Sequence, residues 1–133
     1  MRDMAKRTTI ELPGAPHVAP IPAACRVGNI LMSSVIRGND PERGGKLAEG
    51  EEAQAEQMFR NMRSILERGG ARPEDVIKVN IWMRDVSARA AVNKCWLEMF
   101  PDAESRPARH AFPSADPASP YLVEGEVMAV IGD

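Results

Sequence analysis

An α+β fold follows from three features of this chain. An apolar stripe at three- and four-residue steps runs through Glu51 to Arg68 and marks one long amphipathic helix. A second, shorter helical stretch ends near Phe100, and the segments around both helices are rich in β-branched and alternating residues. The resulting order, β-β-β-α-β-α-β-β, predicts a mixed sheet of about six strands with both helices most simply on one face. With 133 residues, the chain is expected to form a single domain spanning 1–133 around one core.

Thr8 to Leu12 is the first predicted strand, ended by Pro13-Gly14, and Pro16, Pro20 and Pro22 then make an extended loop. Ala23–Val27 and Ile30–Ile36 read as a hairpin around Gly28-Asn29, two residues that tolerate the left-handed conformations of a tight turn. Arg37 to Gly50 is polar and turn-rich. In the long helix Ala55, Met58, Phe59, Met62, Ile65 and Leu66 form the stripe, Glu51 and Glu52 suit its N-terminus, and Gly69-Gly70 stops it. Val76 to Met83 is a strand with Ile77, Val79, Ile81 and Met83 on one face and Val76, Lys78, Asn80 and Trp82 on the other. Asp85 or Ser87 can cap the second helix, which turns Val92, Trp96, Met99 and Phe100 inward.

Two segments complete the sheet and read as adjacent strands, Pro107–Phe112 and Leu122–Ile131. Alternation puts Glu124 and Glu126 on one face with Leu122, Met128 and Val130. Carboxylates in the middle of an otherwise apolar strand need partners, and Arg109 is the nearest in sequence. Two readings are open. Arg109 and a glutamate can hold a substrate carboxylate and direct a water, or they form a structural ion pair at a subunit contact, the simpler account on these residues alone.

The helices cover only one face of the sheet, and so short a chain has nothing left to cover the other. Self-association is therefore expected. A net charge of −2, 5% aromatic residues and no basic cluster give no electrostatic drive toward nucleic acid or anionic lipid and argue against both as partners. No stretch approaches the roughly 20 apolar residues of a membrane span. Met1 to Arg7 is basic but no apolar run follows it, so it is not read as a secretory signal, and the expected location is cytoplasmic. Cys25 and Cys95 have no paired spacing, and Cys25 reads as a small buried apolar group. His17 and His110 lack metal-ligand spacing, so a zinc site is not expected.

Several phrases resemble the Rid (YjgF-type) family of reactive-intermediate deaminases. They are Arg26–Ser34, Glu52–Leu66, Gly70-Ala71, Asp75–Asn80, Ala91–Asn93, Pro107–Arg109 and Val123–Glu126, in the family's order and spacing from about residue 18 onward. The resemblance implies a chorismate-mutase-like fold assembled as a homotrimer, with clefts between subunits. It also implies cofactor-independent hydrolysis of 2-imino or 2-enamino carboxylic acids to keto acids and ammonia. By the same resemblance Arg109 matches the arginine that holds the substrate carboxylate, Glu124 a glutamate associated with water activation, and Asn93 a site-proximal asparagine.

Glu126, two residues on, is the alternative base or a partner to Lys78. Ile21 stands where the family has a site-lining tyrosine, and Ser34 where it has a glycine close to the ligand. Both departures point to a substrate larger or less polar than 2-iminopropionate, such as an intermediate of aromatic-ring catabolism resembling 2-aminomuconate. Tyr121, near Glu124, is a candidate to supply the missing phenol, whereas His110 faces away from Arg109. The competing classes are a trimer that binds carboxylates without catalysis and an endoribonuclease or translation inhibitor.

Overall fold

The computed structural model describes residues 6–132, so most of the basic segment Met1–Arg7 lies outside the described residues. Eight strands and two α-helices follow in the order β1 (Thr8–Ile10), β2 (Ala24–Val27), β3 (Ile30–Ser33), β4 (Asn39–Asp40), β5 (Lys46–Leu47), α1 (Glu51–Arg68), β6 (Val76–Met83), α2 (Arg89–Met99), β7 (Ala108–Pro113) and β8 (Val123–Val130). Six strands form one sheet in the order β1-β2-β3-β8-β6-β7, while β4 and β5 pair as a separate small hairpin. Every pairing in the large sheet is antiparallel except β6 with β7.

That parallel pair corrects the expectation that β7 and β8 are neighbours. The β6–α2–β7 crossover carries the chain back so that β7 lies beside β6, and β8 enters between β3 and β6. Parallel strands require such a crossover, whereas two consecutive strands with no helix between them read from sequence as neighbours.

Both helices pack on one face of the sheet. On that face Leu31, Val79, Ile81, Val123 and Ala129 meet Met58, Met62, Ile65 and Leu66 of α1, all at most 2% exposed. Gly125 lets α1 approach closely, since a Cβ there would lie 3.3 Å from the sulfur of Met58. Arg26 stitches the hairpin to the end of α1, donating from Nη1 to the Gly69 carbonyl at 2.8 Å. The opposite face carries Ile30, Met32, Ile77 and Val130, each more than one third exposed.

α1 has the bounds expected; other elements differ in detail. Ile30–Ile36 is strand only to Ser33, after which the chain lifts away and Ile36 rejoins β8 by an isolated bridge to Gly125. The second helix begins at Arg89 after a 3-10 turn over Val86–Ala88, and neither Asp85 nor Ser87 caps it. A register shift between Val76 and Lys78 exchanges two residues between faces, so that Val76 is buried and Ile77 exposed, the reverse of strict alternation. Cys25 is only half-buried, in contrast to Cys95, and both are free.

Candidate functional site

Register places the expected site residues on two sides of the sheet. Arg109 pairs with Val79, which pairs with Val127, so Arg109 lies on the helix-covered face. Glu124 pairs with Trp82 and Glu126 with Asn80, on the open face. Two inter-strand steps of about 4.8 Å and three residues of about 3.3 Å separate Arg109 from Glu124 by roughly 14 Å between Cα atoms. Within one chain Arg109 therefore pairs with neither glutamate, which corrects the expected Arg–Glu partnership. The expectation arose because β7 and β8 were read as adjacent.

On the helix side, Arg109 projects from the edge strand β7 onto α2. Its Nη2 donates to Oδ1 of Asn93 at 2.8 Å, and its guanidinium lies 4.9 Å from the ring centre of Trp96. Its Nη1 is buried without a hydrogen-bond partner. A guanidinium normally fills its fork with a carboxylate, yet none of the described acidic residues pairs with Arg109. Burial, and then the charge of Arg89, push its pKa below the ordinary arginine value. This is a half-buried cation with vacant donors.

On the other side, Glu124 is held by a residue that pattern reading did not single out. Arg37 donates from Nε to Oε2 of Glu124 at 2.8 Å, and its guanidinium lies 4.1 Å over the ring of Tyr121. Oε1 of Glu124 accepts no hydrogen bond among the described residues. Tyr121 thus lies beneath Arg37, close to Glu124.

Buried polar residues of α1 hold this corner in place. Asn61 donates from Nδ2 to the carbonyls of Arg37 and Asn39 at 2.9 and 2.7 Å, and accepts from Gln57. Gln54 bonds both the carbonyl of Pro120 and the N–H of Leu122, fixing the approach to β8. The signal for this was available: Gln54, Gln57 and Asn61 recur at helical spacing beside the apolar stripe, and buried amides need partners.

Arg37 and Tyr121 also line a pocket of about 330 Å³ with His17, Asn39 and Asn61. Burial, together with the charge of Arg37, lowers the pKa of His17. Ile21 and Ser34 line a separate groove of about 370 Å³ with Thr9, Cys25 and Met32. Glu126 accepts from Nδ2 of Asn80 at 2.9 Å rather than pairing with Lys78. His110 is on the open face, as expected, stacked on Phe112 with ring centres 4.3 Å apart.

Among the described residues no helix is long and apolar enough to cross a membrane. Residues 15–131 match the family model described as Endoribonuclease L-PSP. A RutC family protein of Aquifex aeolicus is 34% identical over 91% of this chain and 97% of its own length. A 2-iminobutanoate/2-iminopropanoate deaminase of Dermatophagoides farinae is 31% identical over 96% of this chain and 99% of its own. The crystal structure of RidA from the Antarctic bacterium Psychrobacter sp. superposes with a TM-score of 0.83 at 36% identity, covering 93% of this chain and 99% of that one.

Proposed function

This chain belongs to the Endoribonuclease L-PSP family, among whose members are the RutC and Rid proteins it resembles, and from that premise we propose that it is a hydrolytic deaminase. Its substrates are 2-imino or 2-enamino carboxylic acids, and its products the keto acid and ammonia. The observation that carries the reading is the vacant fork of Arg109, a half-buried guanidinium with one nitrogen unpaired and no protein carboxylate beside it. The activity named for the matched mite relative, and for a Salmonella typhimurium relative 28% identical over 92% of this chain, is deamination of such imino acids.

The chemistry needs two groups at opposite ends of a small molecule. Arg109 grips the substrate carboxylate with two parallel hydrogen bonds, with Asn93 and Trp96 fixing the plane of the guanidinium. Anchoring sets the electrophilic imine carbon in reach of water. Glu124, with one oxygen tied to Arg37 and the other free, takes a proton from that water as its oxygen bonds to carbon. The proton passes to nitrogen and leaves a carbinolamine; Glu124 then takes the hydroxyl proton of that adduct and returns it to nitrogen as the C–N bond breaks, so ammonia leaves as the carbonyl forms. Neither step consumes a metal or an organic cofactor.

Because Arg109 and Glu124 of one chain lie on opposite faces of its sheet, the working site combines Arg109 of one copy with Glu124 of another. The homotrimer supplies that pairing, joined through the apolar open faces. The Ile21–Ser34 groove then receives part of the remaining substrate chain, favouring one larger or less polar than 2-iminopropanoate, such as a 2-aminomuconate-like enamine.

The experiment generates imino acids in place with an amino-acid oxidase, supplies 2-aminomuconate separately, and follows ammonia release. Wild type should accelerate release over buffer, and Glu124→Gln should bind the keto acid product with nearly unchanged affinity while losing turnover. Decay of every imine and enamine at the buffer rate would sink the proposal.

A further inference from the structure

We propose that Arg89 forms a second anion subsite beside Arg109, so that the preferred substrate carries a second carboxylate in addition to the one next to the imine carbon. The inference rests on the deaminase reading and extends its site to Arg89, a residue that reading does not use. Asn93 and Trp96 both contact Arg109 from α2, and Arg89 precedes them by four and seven residues. Positions at that spacing share one stripe of a helix, so Arg89 lies along the same face, one turn nearer the N-terminus.

The electrostatics of this corner are unbalanced. Arg89 is exposed and enters no ion pair among the described residues. It is the first residue of α2, where the helix dipole already disfavours a cation. Its charge acts on Arg109, two like charges opposing each other, and Nη1 of Arg109 has no partner.

The acidic residues that α1 directs toward α2 are engaged elsewhere. Glu51 accepts from Ser87, and Glu52 and Glu56 pair with Lys94. Two arginines thus share the stripe that begins at the N-terminus of α2, and neither forms an ion pair with a carboxylate among the described residues. A ligand with two anionic groups removes the repulsion. Its α-carboxylate fills the fork of Arg109, and the distal one meets Arg89 at the more open end of the stripe. A single carboxylate leaves Arg89 unmatched.

The test compares 2-iminoglutarate with 2-iminopropanoate, each generated by oxidase, in wild type, Arg89→Met and Arg89→Lys. In parallel, calorimetry measures binding of 2-oxoglutarate and pyruvate, which need no turnover. Wild type should show kcat/KM at least about tenfold higher for the diacid. Arg89→Met should lose about tenfold on the diacid and less than about threefold on the monoacid, with Arg89→Lys recovering part of the preference. Equal use of the two imines by wild type, or an equal loss on both in Arg89→Met, would overturn the subsite and leave the deaminase reading standing. If neither imine is hydrolysed, binding decides. Tighter 2-oxoglutarate than pyruvate, lost in Arg89→Met, upholds the subsite, and equal binding ends it.

Discussion

Arg109 and Arg37 are both arginines on the edge of a proposed reaction, and their surroundings give them different work. Arg109 has a vacant fork, so replacing it with Lys keeps charge but removes the paired donors that orient a carboxylate. Arg109→Lys is expected to fold normally and to lose at least about tenfold in kcat/KM, or ~1.4 kcal/mol of transition-state stabilisation. Arg109→Ala should lose nearly all activity, and wild-type rates in that variant would make the arginine structural. Arg37, by contrast, is already committed to Glu124 and Tyr121. Arg37→Leu should lower kcat by about 10- to 100-fold, the size of a misplaced general base, with circular dichroism and product affinity little changed. An unchanged kcat would show that Glu124 is aimed by something else. The two residues also differ in how readable they are. Arg109 carries a family phrase around it, whereas Arg37 sits in a polar loop and acquires its role only when that loop folds against β8.

The junction between that loop and α1 is where backbone packing controls the chemistry. Gly38 follows Arg37, is buried, and lies against the backbone of α1. A Cβ there would fall 2.6 Å from the carbonyl oxygen and 2.8 Å from the Cα of Gln54. Backbone cannot yield as a flexible side chain can, so Gly38→Ala is expected to cost about 1–3 kcal/mol. A melting temperature several degrees lower should report it, together with reduced activity because Arg37 shifts with its neighbour; an unaltered melting curve would refute the close approach. α1 itself was legible to the residue, since an 18-residue stripe with acidic first turn and double-glycine stop states its own limits. The ends of β3 and the face exchange at Val76 and Ile77 were not. A strand ends where its partner ends, and a bulge reflects the pairing register rather than local composition.

The open face of the sheet is the surface through which the expected trimer would assemble. One face is covered by α1 and α2, and the other presents Ile30, Met32, Ile77 and Val130 to the outside. The protein should elute at about three times its monomer mass, with light scattering giving the same number. Met32→Glu, which places a charge in the middle of that face, should shift the protein toward monomer and abolish deamination together, because the proposed site joins Arg109 of one copy to Glu124 of another. A stable monomer with full activity would contradict the composite site. The open face was legible as an excess of apolar residues over the helices available to cover them, whereas the division of the site between its two sides was not.

Periodicity determined the fold class, the long helix and the order of the six main-sheet strands and two helices, because each depends on side chains a few residues apart along one element; the small β4–β5 hairpin in the polar stretch before α1 had no such signal. Arg109 and Glu124 were visible as charges on largely apolar strands and as matches to short family phrases, Asn93 only as such a match. Which of them meet was decided by tertiary structure alone. The α2 crossover places β7 beside β6 and β8 between β3 and β6, and that order puts Arg109 with Asn93 and Glu124 with Arg37 on opposite faces. Strand order is a long-range choice made by the packing of helices on a sheet, and no local pattern in the chain encodes it.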